Sequence, residues 1–207
     1  MLAGLRRCCA LILLTTLNAM AVDSLPVGQL LQAVKVPPGS ERQVTELRVT
    51  PRFSKPVEVA GSVRLTHDGT LIRHITAPQE ERIEIDGDSV TLVRKGRSRT
   101  VSVASNPALG QFYSALRALL SGDQTAVFEM FNVRREDPSA SEDGEWQLTL
   151  EPKSQKLQRI LQRMEVRGTD SVLEQIVIQQ PGGRSQTMFF GDVIVPSNDA
   201  GEQLLVP

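Results

Sequence analysis

The chain has 207 residues, 23 lysines and arginines against 24 aspartates and glutamates, and only 4% aromatic residues. A balance this close to neutral disfavours nucleic acid as a partner and provides no polybasic block for membrane binding. Two cysteines cannot supply a disulfide framework, so the fold must rest on an ordinary aliphatic core, for which the length is sufficient.

The chain opens "MLAGLRRCCALILLTTLNAMA". Arg6 and Arg7 form a short basic segment, Cys8 to Leu17 an apolar run, and Ala19-Met20-Ala21 a small-x-small cleavage site. This is the order of a secretory signal peptide, and the run is shorter than the roughly 20 residues of a spanning helix. Cys8 and Cys9 stand at the start of the apolar run, where they do not suit lipid attachment. Residues 1–21 are therefore expected to be cleaved, leaving a soluble periplasmic chain that starts at Val22, residues 22–207, as a single domain. Both cysteines leave with the signal. So do two arginines and no acid, which takes the net charge from −1 to −3.

In "LPVGQLLQAV", Val27, Leu30, Leu31 and Val34 fall at helical spacing, and Pro37-Pro38 stops the helix. Strands follow. Residues 43–50 alternate, and in 57–66 Val57, Val59, Gly61, Val63 and Leu65 share a face. Further strands are expected at 71–76, 82–85, 90–94 and 100–103, separated by Asp-Gly and Lys-Gly turn signals, as an antiparallel meander. Asn106-Pro107 then opens a helix in which Leu109, Phe112, Tyr113, Leu116, Leu119 and Leu120 form one apolar stripe, with Gly122 as its stop. A second short helix is expected over 125–131 and a polar loop over 134–145. Strands resume at 145–150, 160–166, 172–180 and 186–190. The expected class is mainly β with some α: a long antiparallel sheet with one face covered by the inserted helices.

Both histidines flank the turn signal Asp68-Gly69 in "GSVRLTHDGTLIRHITAP". A two-residue hairpin loop there sets His67 opposite Thr70, Leu65 opposite Ile72 and Val63 opposite His74, all on one face. The histidines are then four residues apart along the strand, roughly 13 Å at about 3.3 Å per residue, too far for one zinc ion with bonds of about 2 Å. They read as polar residues at the two ends of an apolar patch. The chain has no G-x-S-x-G elbow, no phosphate-binding glycine loop and no H-E-x-x-H. "IDGDS", 85–89, lacks the spacing of a calcium loop and reads as a hairpin turn. No metal, no cofactor and no catalytic residue is expected, so the chain does not read as an enzyme.

Taken together, "RQVTELRVTPRF", the hairpin from Gly61 to Pro78, "IEIDGDSVTLV", the Asn106-Pro107 lead into the helices, and "WQLTLEPK" resemble the LolA-type periplasmic carriers of outer-membrane lipoproteins. The resemblance runs over nearly all of the mature chain and rests on the order and spacing of the motifs. It implies an open, curved antiparallel half-barrel covered by short lid helices. It implies a concave apolar face that takes the acyl chains of a lipoprotein or related envelope lipid. The partners it implies are an inner-membrane ABC-type export complex and an outer-membrane receptor, with the carrier a monomer. The cargo face is expected at Leu47, Val49, Val63, Leu65, Ile72, Phe112, Leu116, Leu119, Trp146 and Leu148. Two departures stand out: aromatics are scarcer here, and the family's arginine-proline at the hairpin turn is His67-Asp68. His67 is accordingly the residue expected to hold the lid. The alternative from another class is a periplasmic sensor or protein-interaction module built on the same half-barrel.

Overall fold

The structure, a computed structural model, describes residues 26–194 apart from positions 34, 54, 88, 106 and 137–143. The expected signal peptide, Val34 at the end of the first helix, Asp88 of "IDGDS" and most of the polar loop lie outside the described residues. So do the side chains at 33, 103, 107–109 and 194.

A short helix, α1 (Val27–Ala33), leads into six strands in meander order: β1 (Glu41–Val49), β2 (Val57–Leu65), β3 (Leu71–Ala77), β4 (Glu81–Asp86), β5 (Ser89–Arg94) and β6 (Arg97–Ser102). A helical segment follows, with α2 (Pro107–Ser121) and α3 (Gln124–Met130). The chain finishes with β7 (Phe131–Arg135), β8 (Glu145–Pro152), the single turn α4 (Gln155–Gln158), β9 (Arg163–Thr169), β10 (Val172–Gln180) and β11 (Arg184–Ile194). All eleven strands make one sheet in the order β6-β5-β4-β3-β2-β1-β11-β10-β9-β8-β7. It is two antiparallel meanders, early and late, sewn together where β1 pairs with β11. The sheet is an open, curved half-barrel: β6 and β7 are its two edges and are not paired with one another.

That topology explains where the helices go. The segment joining β6 to β7 has to travel from one edge of the sheet to the other. The shortest route crosses the concave face, and the apolar stripe of α2 makes that route favourable. Ala115, Leu116, Ala118, Leu119 and Leu120 of α2 are buried there, with Val127 of α3 and Leu30 and Leu31 of α1. Gly122 stops α2 with φ of +70°. A Cβ on it would lie 3.0 Å from the Leu31 carbonyl oxygen, so the α2–α3 corner can press against α1 only as glycine. The Asp123 side chain then caps α3 by accepting from the Ala126 amide at 3.0 Å.

Several elements differ from the sequence expectation: β6 is Arg97–Ser102 rather than 100–103, α4 was not expected, and three late strands have other bounds. Phe131–Arg135 is a strand, where a helix end and a loop were expected. Burying Phe131 and pairing with β8 outweigh the local polar character. β9 begins at Arg163 because α4 and Leu161 use up the residues before it. β11 continues to Ile194, held by pairing along the whole of β1.

Candidate functional site

The alternation of each strand sorts its residues between a concave and a convex side. Through most of the late meander the concave side is apolar: Phe131, Leu148, Leu150, Met164, Val166, Ile176, Ile178 and Met188 are all within 1% of full burial, with Arg135, Gln180, Arg184 and Gln186 in phase with them at the strand ends. Trp146 faces the same way, its indole occupying the space that a Cβ on Gly168 would need, and donates to the Asp170 carbonyl at 2.9 Å. The early meander continues the surface with Val59, Val63, Leu65, Leu71, Ile75, Ile83, Ile85 and Val90. Phe112 and Tyr113 of α2 lie over it half-buried, their rings edge to face with centroids 5.4 Å apart.

Of the residues the sequence assigns to a cargo face, Val63, Leu65, Leu116, Leu119, Trp146 and Leu148 are brought together in this one cluster, with Phe112 packed against it. Leu47, Val49 and Ile72 are placed elsewhere. In β1 it is Val44, Glu46 and Arg48 that face inward, opposite Phe190, Met188 and Gln186. Leu47 and Val49 therefore face outward, and Val49 is 40% exposed. The apolar pattern of "VTELRV" changes phase at Glu46, and reading it from Leu47 selects the wrong face.

Ile72 moves for a different reason. The hairpin is not closed by a two-residue loop. The Thr66 hydroxyl donates to the Asp68 carboxylate and accepts from the Thr70 amide at 2.9 Å, and the Thr66 amide donates to the Thr70 carbonyl at 3.0 Å. These bonds make 66–70 a closed five-residue turn and pair Leu65 with Leu71 rather than with Ile72. A shift of one residue changes the face of every side chain in a strand. The expected pairings of His67 with Thr70 and of Val63 with His74 fail for the same reason: His74 pairs with Ser62 and Val63 with Arg73. The Thr66 hydroxyl also holds the Asp68 carboxyl below its ordinary range.

The histidines thus belong to separate surroundings. His74 faces outward, its Nε2 3.4 Å from a Glu80 oxygen. His67 lies exposed in the turn with its ring against Gly39, where a Cβ would fall 2.5 Å from Nε2. The contact between this turn and the lid comes from α2: Arg117 Nη1 donates to the Gly69 carbonyl at 3.4 Å. Among the described residues, no group of three or more His, Cys, Asp or Glu side chains is placed to hold a metal.

Sequence reasoning missed a charged knot on the concave face. Glu46 has no exposed side-chain surface. One of its oxygens is 2.5 Å from Arg48 Nε and the other pairs with Arg73 Nη2. Burial lowers the pKa of both guanidinium groups, against the opposing influence of Tyr113 and Glu81. Burial raises the Tyr113 phenol, and Arg73 and Arg48 act in the other direction. Glu81 in turn meets Arg94 Nε at 3.0 Å. The signal was present in the sequence as charged residues in phase with Val44 on β1 and with Leu71 and Ile75 on β3.

The arrangement is an apolar hollow with a polar knot to one side, roofed by helices whose buried residues are aliphatic. A sequence family described as outer membrane lipoprotein carrier protein LolA-like matches residues 19–200. The chain belongs to that LolA-like family. No curated protein matches it in sequence. Among solved structures it is similar to a LolA-superfamily protein of Nitrosomonas europaea, at 11% identity over 84% of this chain and 95% of that one, with a TM-score of 0.47. It is also similar to the lipoprotein LppX of Mycobacterium tuberculosis, at 13% identity over 76% and 88% of the two chains and a TM-score of 0.39. LprF of Mycobacterium bovis aligns at 11% identity over 82% and 93%, with a TM-score of 0.39. No helix among the described residues is long and apolar enough to cross a membrane.

Proposed function

We propose that this LolA-like protein is a periplasmic carrier without catalytic activity. It shields the acyl chains of a lipoprotein or a related envelope lipid during transfer from the inner to the outer membrane. The observation that carries the reading is the roofed aliphatic hollow itself. It is lined from both meanders, and its α2 roof is tied to the turn of the β2–β3 hairpin by Arg117. Each methylene moved from water into such a hollow is favourable by about 0.8 kcal/mol, so an acyl chain gains by entering between α2 and the sheet while the apolar stripe of α2 stays covered by it. The buried faces of α1, α2 and α3 pack into the concave side of the sheet. An inner-membrane export complex would load it and an outer-membrane receptor would empty it.

The test is purification from the native envelope in detergent-free buffer, followed by solvent extraction and intact-complex mass measurement. A lipid or lipoprotein near one per chain is expected. Protein that repeatedly emerges lipid-free, or that carries only a protein partner, would replace this reading with the interaction-module alternative.

A further inference from the structure

The sequence contains no run of basic residues, yet the fold collects scattered ones. Because the strands alternate in direction, every second connection emerges at the same end of the half-barrel. At one end these are residues 50–56, 78–80, 95–96, 153–162 and 181–183. They carry Arg52, Lys55, Lys95, Lys153, Lys156 and Arg159, all exposed, against a single acid, Glu80. Arg94, Arg97 and Arg184 flank the same connections on the adjoining strand ends, Arg94 being paired with Glu81. At the other end the described connections carry one lysine, Lys35, against Asp68, Glu136 and Asp170, and Arg117 of α2 reaches the 66–70 turn. The chain as a whole is near neutral, so the molecule is electrically polarised from end to end.

We infer that the basic end is a docking surface for an anionic lipid bilayer. Three observations favour a bilayer over a protein or a nucleic acid. The cations are spread over separate connections along the rim of an eleven-stranded sheet, which suits a broad flat partner rather than a groove-bound one. Phe53 stands among them, 64% exposed and flanked by Arg52 and Lys55, the combination of apolar tip and basic neighbours that settles among lipid headgroups. Pro51 lies 3.4 Å from the place of a Cβ on Gly183, which sets this loop beside the β10–β11 turn. Docking by this end would point one mouth of the hollow at the membrane surface.

The inference does not rest on the cargo reading, and its test uses lipid-free protein. Sedimentation is measured with phosphatidylcholine vesicles and with vesicles containing about 30% phosphatidylglycerol, in about 0.1 M salt. Wild type is expected to bind the anionic vesicles and to lose them as salt rises. Neutralising Arg52, Lys55, Lys95 and Arg159 to Gln should weaken binding roughly fivefold per cation. Phe53→Ser should weaken it severalfold with little change in salt dependence. Arg64→Gln, an exposed cation on the convex face, should leave it unchanged. These side chains are exposed, and circular dichroism confirms that the variants fold. Equal sedimentation with both vesicle types, no sedimentation with either, or a quadruple variant that binds like wild type would overturn the proposal; an acidic protein as the true occupant gives the second of these results.

Discussion

Removing the charge of Glu46 is expected to be the most damaging single isosteric change in this fold. Glu46 has no exposed side-chain surface and holds Arg48 and Arg73 with its two oxygens. Glu46→Gln keeps the shape and leaves two guanidinium groups without their anion. Arg73 is only 12% exposed, so it cannot turn to water, and breaking such a buried pair costs about 3–5 kcal/mol. Arg48 is 35% exposed and reaches solvent, so its share is no more than about 1 kcal/mol. For a chain of this size each kcal/mol moves Tm by about 2–4 °C, which for about 3–6 kcal/mol in all gives a drop of about 6–24 °C by calorimetry. The double variant Glu46→Leu, Arg73→Met should be far less damaged than the sum of its single changes, because neither charge is then stranded. A Glu46→Gln protein melting within about 1 °C of the parent, with no coupling to Arg73 in the cycle, would refute the account of the knot. A single variant too unstable to purify, rescued by the double one, would support it.

The chain has one tyrosine, so its titration is read directly from tyrosinate absorbance; the Tyr113 midpoint should lie above the ordinary value of about 10. A raised value means that the folded chain holds the proton more tightly. The stability this contributes is complete below about pH 10 and is lost as pH rises through the folded value, so Tyr113→Phe should flatten the alkaline limb of a stability–pH profile. Leu65→Arg places a charge at a site 3% exposed; it should lower Tm and abolish uptake of a fluorescent fatty acid, and normal folding with wild-type uptake would contradict both roles of the face. Arg117→Ala should speed release of that probe a few-fold by freeing α2 from the Gly69 carbonyl, whereas His67→Ala should change it little; the opposite order would restore His67 as the lid holder. The secreted protein should have the mass of residues 22–207; a retained leader or added acyl groups would contradict the expected cleavage.

The order of strands and helices was legible because turn residues punctuate the chain: Asp68-Gly69, Gly87, Lys95-Gly96 and Gly182-Gly183 each stand between two strands. The helical insertion was legible from one uninterrupted stripe, Phe112 to Leu120. Facing was harder to read. β1 carries apolar residues in both phases, and only its neighbours decide between them: Val59 and Met188 flank Glu46 on the buried side. The hairpin failed for a local reason, since Thr66 and Thr70 recruit Asp68 into a longer turn than the Asp-Gly signal alone implies. The charged knot escaped because its members lie on separate elements, Glu46 and Arg48 on one strand, Arg73 on another and Tyr113 on α2. Seen one at a time, each reads as a polar residue facing water or as part of the helix stripe. The core residues Val63, Leu65, Trp146 and Leu148 were found because burial on a pleated face leaves a period of two that no other force imitates.

Residues 103–130 begin at one edge strand, β6, and end at the other, β7. Mechanically this segment is a bowstring and the sheet is the bow. α2 alone is about 22 Å long at 1.5 Å per residue, and it is a stiff member of fixed span. The separation of the two edges is limited by the span of α2 and α3, because α3 runs straight into β7 and the α2–α3 corner is closed by backbone hydrogen bonds. Swelling of the hollow around a bulky guest is then taken up along the arc, at the β1–β11 seam and its neighbours, and not by parting the edges. Lengthening the string, by inserting residues between Ser102 and Pro107 or at Gly122, would enlarge the capacity of the hollow without altering any residue that lines it.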